Sequence, residues 1–190
     1  MVFPLLSSSA ISSISLSDVQ TSKKGQKYCT IEFDGKQPIF QLSKDALLSP
    51  FQAGLHQKDS AVETRQNLDL HLSDELRGIL EEYDEFFERE LKKLMPKATY
   101  HKLVQQEGDY PARLRLKVNA CGPTAAHFWK SDQTPLGDIR TIKTAGAKII
   151  ACVVFSKAWS MASLCGVTVE LRCGVLAEEV GNTAADVFPL

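Results

Sequence analysis

The sequence predicts a mainly β fold with one long helix, an α+β arrangement, on three observations. Apolar and polar residues alternate in five short segments, as on half-buried strands whose side chains point to opposite faces. One stretch, from Ser73 to Leu94, switches to helical spacing. Turn residues punctuate the rest: Asp34-Gly35, Cys121-Gly122-Pro123 and Pro135-Leu136-Gly137-Asp138. At 190 residues the chain can form one domain with a sizeable core. That domain is placed at 23–176, between a Ser-rich N-terminal arm (1–22) and a mobile acidic C-terminal tail (177–190).

Ile14 and Leu16 alternate with serines and predict a first strand. Seven serines between Ser7 and Ser17 make partial disorder the expectation there. Lys23-Lys24-Gly25 reads as a turn. Cys29, Ile31 and Phe33 alternate with Tyr28, Thr30 and Glu32 and lead into Asp34-Gly35, a strong hairpin signal. The return strand is then residues 38–42, with Pro38 tolerated at its first position. Residues 48–54 are a loop. In residues 65–72, Leu68, Leu70 and Leu72 point inward, and Asn67, Asp69 and His71 outward. The helix follows, with apolar positions 76, 79, 80, 83, 86, 87, 91 and 94. Ser73 caps it, Asp74 and Glu75 suit its positive end, Lys92 and Lys93 suit its negative end, and Pro96 stops it. Glu81, Glu82, Asp84, Glu85, Glu88 and Glu90 read as its solvated face. Tyr83, Phe86 and Phe87 read as packing. Residues 139–144 and 147–155 read as strands, the second nearly all apolar and therefore central. Residues 166–175 close the series, giving seven to nine strands in all.

The residues with most functional content run from Arg113 to Lys130. Leu114, Leu116 and Val118 share one strand face, and Arg113, Arg115 and Lys117 share the other. Those three cations would stand about 7 Å apart, two residues of strand rise each. After the turn comes His127-Phe128-Trp129-Lys130, where rings sit beside another cation. Cations that neutralise phosphates, beside rings that stack on unpaired bases, suit a single-stranded nucleic acid. The same pattern also suits an amphipathic strand with a solvated charged face and a hairpin of core aromatics.

Bulk charge agrees with a basic centre. The net charge is −1, but residues 97–157 carry 10 Lys and Arg against 4 Asp and Glu, net +6. Residues 1–96 carry net −4 and residues 158–190 net −3. Such asymmetry steers ligands and locates sites. Five cysteines (29, 121, 152, 165, 173) without a tight framework point to a reducing, intracellular setting and no disulfides. The expected sites exclude catalytic residues, metal and cofactor. No Cys-x-x-Cys, Gly-rich phosphate loop, Gly-x-Ser-x-Gly or His-Glu-x-x-His occurs. Cys121 with His127 or His101 lacks the rest of a catalytic constellation. No apolar run reaches the roughly 18 residues of a membrane span, so no membrane partner is expected.

With its segments in order, the chain resembles the single-stranded DNA-binding proteins of large DNA viruses of algae, akin to that of T7-like phages. The resemblance spans about Gly25 to Val175 and rests on five stretches of modest specificity. These are residues 31–42 leading to Ser49-Pro50-Phe51, Asn67-Leu-Asp-Leu-His-Leu72, the helix with Tyr83-Asp-Glu-Phe-Phe87, Arg113-Leu-Arg-Leu-Lys117, and residues 149–159 followed by Cys165-Gly-Val-Thr-Val-Glu-Leu171. It implies an OB-fold-like five-stranded barrel with extra hairpins and an inserted helix. It implies sequence-tolerant binding of single-stranded DNA in replication, recombination or repair. For a virus-encoded protein the location would be the host-cell site of viral DNA replication.

The resemblance also implies a partner-binding tail, here Glu178, Glu179, Asp186 and Phe188, directed at replication proteins. The tail departs from the family pattern, having three acids and Pro189-Leu190 after Phe188. The sequence leaves the oligomeric state open, a homodimer included.

Trp129 is the first stacking candidate, with Phe128 and Tyr110 behind it; Trp159 reads as core. Arg113, Arg115, Lys117, Lys130, Arg140, Lys143 and Lys148 are the phosphate candidates. The competing expectation is a β-rich structural or interaction protein, such as a minor virion or scaffold component, without nucleic-acid affinity.

Overall fold

The computed structural model describes residues 2–23, 25–55 and 64–177. Its framework is one long hairpin. β12 (Lys148–Met161) and β13 (Leu164–Ala177) pair antiparallel from Lys148 opposite Ala177 to Met161 opposite Leu164. The apolar run in β12 suits a strand covered on both faces, and residues 149–155 are all buried.

The remaining strands line the two outer edges of this hairpin. In chain order they are β1 (Ile14–Leu16), β2 (Gln20–Thr21), β3 (Lys27–Phe33), β4 (Phe40–Gln41), β5 (Leu47–Leu48), β6 (Gly54–Leu55), β7 (Arg65–His71), β8 (Thr99–His101), β9 (Val104–Gln105), β10 (Arg113–Asn119) and β11 (His127–Lys130). β3, β4 and β5 pair in turn along β12. β8, β10 and β11 lie parallel along β13. β7 pairs with β10, and β6 with β7.

This arrangement corrects the expected five-stranded barrel. Among the described residues, thirteen strands form one sheet, seven of them in the open order β1-β3-β12-β13-β10-β7-β6 and six attached beside it. Two bulges, between Cys152 and Val153 and between Phe155 and Lys157, bend the hairpin. Residues 49–53 run from β5 on one margin to β6 on the other and cross the gap without strand pairing. Pro50 has no amide to donate. Ser49 and Thr144, both fully buried, tie the crossing down instead: Thr144 Oγ1 accepts from Ala53 N at 2.6 Å, and Ser49 Oγ donates to the Phe51 carbonyl at 2.9 Å.

The single long helix, α1 (Asp74–Leu94), forms where expected. Ser73 Oγ accepts from Leu76 N at 3.3 Å. Leu76, Leu80, Tyr83, Phe87 and Leu91 are buried, and the Tyr83 ring stacks on Phe155 with centroids 5.2 Å apart.

Four further expectations are corrected. Asp84 is not on the solvated face: it is 3% exposed and accepts from Leu103 N (2.7 Å), Val104 N (3.1 Å) and Tyr100 Oη (2.8 Å). It thus fixes the chain that follows the helix.

Residues 139–144 hold no strand. Asp138 Oδ1 accepts from Arg140 N and starts a short 3₁₀ turn, Ile139–Thr141, that buries Ile139. Asp34 and Gly35 do make a tight turn, with φ of 49° and 73° and paired bonds between Phe33 and Lys36. The chain then leaves β3, because Pro38 cannot donate to the ladder, and returns as β4 on β12. Gln37 fills the break, its Nε2 donating to the Ile31 and Ser156 carbonyls.

The serine-rich segment is packed rather than loose. Ser8–Ser13 forms a 3₁₀ turn, Leu6 is buried, and Tyr83 Oη donates to the Ser7 carbonyl at 3.1 Å. No described helix is long and apolar enough to cross a membrane. Glu178, Glu179, Asp186 and Phe188 lie outside the described residues.

Candidate nucleic-acid interface

The register of β7 against β10 brings charged residues face to face. Arg113 lies opposite His71, Arg115 opposite Asp69, Lys117 opposite Asn67 and Asn119 opposite Arg65. Residues opposite one another in an antiparallel pair point to the same side, so all eight crowd the outer face. Leu114, Leu116, Leu68 and Leu70 face the core.

The cations are largely compensated. Arg115 donates to both carboxylate oxygens of Asp69, at 2.7 and 2.8 Å. Arg113 pairs with Glu107 at 3.0 Å and lies 3.9 Å from Asp69. Lys117 Nζ donates to Asn67 Oδ1 at 2.7 Å. Glu170, next to Lys117 in the β10–β13 register, takes Arg65 at 3.2 Å and Arg172 at 3.3 Å. The cluster therefore holds five cations (Arg65, Arg113, Arg115, Lys117, Arg172) against three carboxylates (Asp69, Glu107, Glu170) and stays net positive.

Two features mark it as unsatisfied. The Nε groups of Arg65 and Arg113 are buried without a hydrogen-bond partner among the described residues. A buried donor left without an acceptor is costly to stability. The Lys117 ammonium is pushed down to about 8, first by burial and then by the neighbouring Arg65 and Arg115 charges.

The aromatic part lies on the same side. Val153 pairs with Leu171 and Cys152 with Cys173, so Arg172 is the extra residue of a bulge. Glu170 and Cys173 consequently share the outer face. His127 and Trp129 register with Cys173 and Val175, so they share it too. Their ring centroids are 6.0 Å apart. Trp129 is half-buried against Ile150, Cys152, Cys173 and Val175, leaving part of its ring to solvent. Lys148 alternates with Ile150 and Cys152 along β12 and emerges on this face at its far end.

The structure thus gathers Arg113, Arg115, Lys117, Trp129 and Lys148 on one face. It separates the others. Phe128 is 2% exposed and lies on the core side of β11. Its ring packs on Gly174, where a Cβ would stand 2.9 Å from it. Phe128 is therefore corrected from stacking candidate to core. Lys130 ends β11 and is exposed. Arg140 is held by its neighbour Asp138, and Lys143 is exposed on the same connection, which is pinned to residues 49–53. Tyr110 is 75% exposed in the loop before β10.

Sequence reasoning missed Arg65, Arg172, Asp69, Glu170 and His127 as parts of this face. A signal existed. It was a partial one: Asp69 is the single acid in the outward set of residues 65–71, and opposite charges tend to pair across strands. Among the described residues, no group of three or more His, Cys, Asp or Glu is placed to hold a metal ion.

No family model matches this chain, and no curated protein does. The solved structures similar to it include phage single-stranded DNA-binding proteins. One is gp2.5, the single-stranded DNA-binding protein encoded by bacteriophage T7, at 17% identity and TM-score 0.49, covering 79% of this chain and 92% of that one. The C-terminally truncated single-stranded DNA-binding protein of bacteriophage Enc34 is 10% identical at TM-score 0.48, covering 88% and 97%. The Enc34 protein in complex with single-stranded DNA is 11% identical at TM-score 0.45, covering 90% and 99%.

Proposed function

We propose that this chain binds single-stranded DNA with little regard for sequence, protecting exposed strands during replication, recombination or repair. The interface is the outer face of β7, β10, β13 and β11. The carrying observation is the union on that face of a half-buried tryptophan with a cluster of five cations against three carboxylates. Phosphates would meet the net positive charge of that cluster, and a base would stack on Trp129. The acidic side of α1 lies elsewhere and would repel a strand. The tail carrying Phe188 is proposed to contact replication proteins.

A second reading has support in the pairing of Arg115 with Asp69 and of Arg65 and Arg172 with Glu170. So compensated a ladder also suits a β-rich structural or assembly protein. Anisotropy titration with a labelled oligonucleotide separates the two. Single-strand binding that weakens steeply with salt and exceeds duplex binding supports the first. No binding at moderate salt supports the second.

A further inference from the structure

We propose that Cys152 and Cys173 form a redox pair that closes to an intramolecular disulfide when the protein meets a peroxide. The two residues are directly opposite in the β12–β13 ladder. Cross-strand neighbours have Cα atoms about 4.5–5.5 Å apart, within the about 4.4–6.8 Å that a disulfide spans. Their side chains point to the same side and sit in one small cluster with Ile150 and Val175. Phe3, Ile39, Ala46 and Trp129 roof that cluster. The other buried thiols have no such partner: Cys29 faces Ala158, and Cys165 faces Ser160 and Tyr100. Cys121 is exposed.

The chemistry begins at Cys173, which is 6% exposed where Cys152 is fully buried. The Cys173 thiolate attacks a peroxide oxygen, the O–O bond breaks and water leaves, giving a sulfenic acid. Cys152 then gives up its proton, its sulfur attacks the sulfenic sulfur, and a second water leaves. Two thiols lose two electrons, and one peroxide becomes two waters. The neighbouring Cys173 thiol and burial hold Cys152 protonated until that step, so closure is slower than oxidation of an exposed thiol. A thiol reductant reverses it. The bond would staple β12 to β13 beneath Trp129.

The test uses the full chain carrying Cys121→Ser, treated with hydrogen peroxide, alkylated under denaturing conditions and mapped by mass spectrometry without reduction. The expected product is a peptide linked through Cys152 and Cys173, lost on adding dithiothreitol and absent in Cys152→Ser and Cys173→Ser. The melting temperature should rise by about 5 °C in the oxidised chain. Recovery of Cys152 as an alkylated thiol at all peroxide exposures, whether Cys173 is intact or over-oxidised, would overturn the proposal. The readout needs no nucleic acid, so it stands or falls apart from the binding reading.

Discussion

Arg115 grips Asp69 across the β7–β10 ladder with two nearly parallel bonds, 2.7 and 2.8 Å long. Asp69 is 8% exposed and also lies 3.9 Å from Arg113. One carboxylate therefore restrains two cations on the face proposed to meet phosphate. This gives the two partners opposite expected effects. Arg115→Ala should weaken single-strand binding and flatten its log–log salt slope by about one unit. Asp69→Asn should strengthen binding and steepen the slope, while lowering stability by about 1–2 kcal/mol, since one partner is well exposed. Equal losses of affinity in both variants would show the pair acting only as a structural clamp.

On the proposed interface, Lys117 should make binding depend on pH near neutrality. Its ammonium loses its proton near pH 8 in the free protein. A bound phosphate favours the charged form, so binding takes up a proton and affinity should fall as pH rises from 7 to 9. Lys117→Met should remove that part of the dependence. The stability effect has the opposite sense. The unfolded chain holds this proton up to about pH 10.4, so stability from this residue is gained as pH rises from about 8 toward that value. Titrations at several pH values and melts over the same range check both signs.

Trp129 and Phe128 are neighbours on one strand with opposite expected roles. Trp129→Ala should cost about 1–3 kcal/mol of binding with the fold retained. Phe128→Ala should cost about 3–4 kcal/mol of stability, from a buried ring with no surface to offer a ligand. Gly174→Ala should also destabilise, by pushing against that ring. Denaturant melts beside anisotropy titrations separate the two kinds of loss.

Asp84 shows why the helix was legible in the sequence and its connection was not. The apolar spacing and the Ser73 cap define α1, and the alternation of 113–118 defines β10; both are local patterns. The partners of Asp84 are Leu103, Val104 and Tyr100, 16 to 20 residues away in sequence. No local periodicity reports a carboxylate serving as an anchor for distant backbone. The same holds for Arg115 and Asp69, 46 positions apart. Residues 139–144 misled for a different reason: two isoleucines three apart fit a 3₁₀ turn as well as a strand edge, and the Asp138 bond to Arg140 N selects the turn. The cationic row was legible; its compensation by Asp69 and Glu170 required the pairing.

Asp84→Ala should destabilise by about 2–4 kcal/mol by leaving the Leu103, Val104 and Tyr100 donors unmatched. Burial raises the carboxyl's pKa against the pull of those bonds. The folded chain therefore keeps this proton to higher pH than the unfolded one. Its contribution to stability falls as pH rises from the ordinary carboxylate value to the raised one. Melts of wild type and Asp84→Asn across the acid range should differ in that slope.

Fluorescence of Trp129, isolated by Trp159→Phe, reports on the proposed interface itself. Adding oligo(dT) at low salt should quench it to saturation, and added salt should restore the signal. A folded chain whose Trp129 emission ignores the oligonucleotide at low salt, up to concentrations that saturate known single-strand binders, would contradict the assignment of this face.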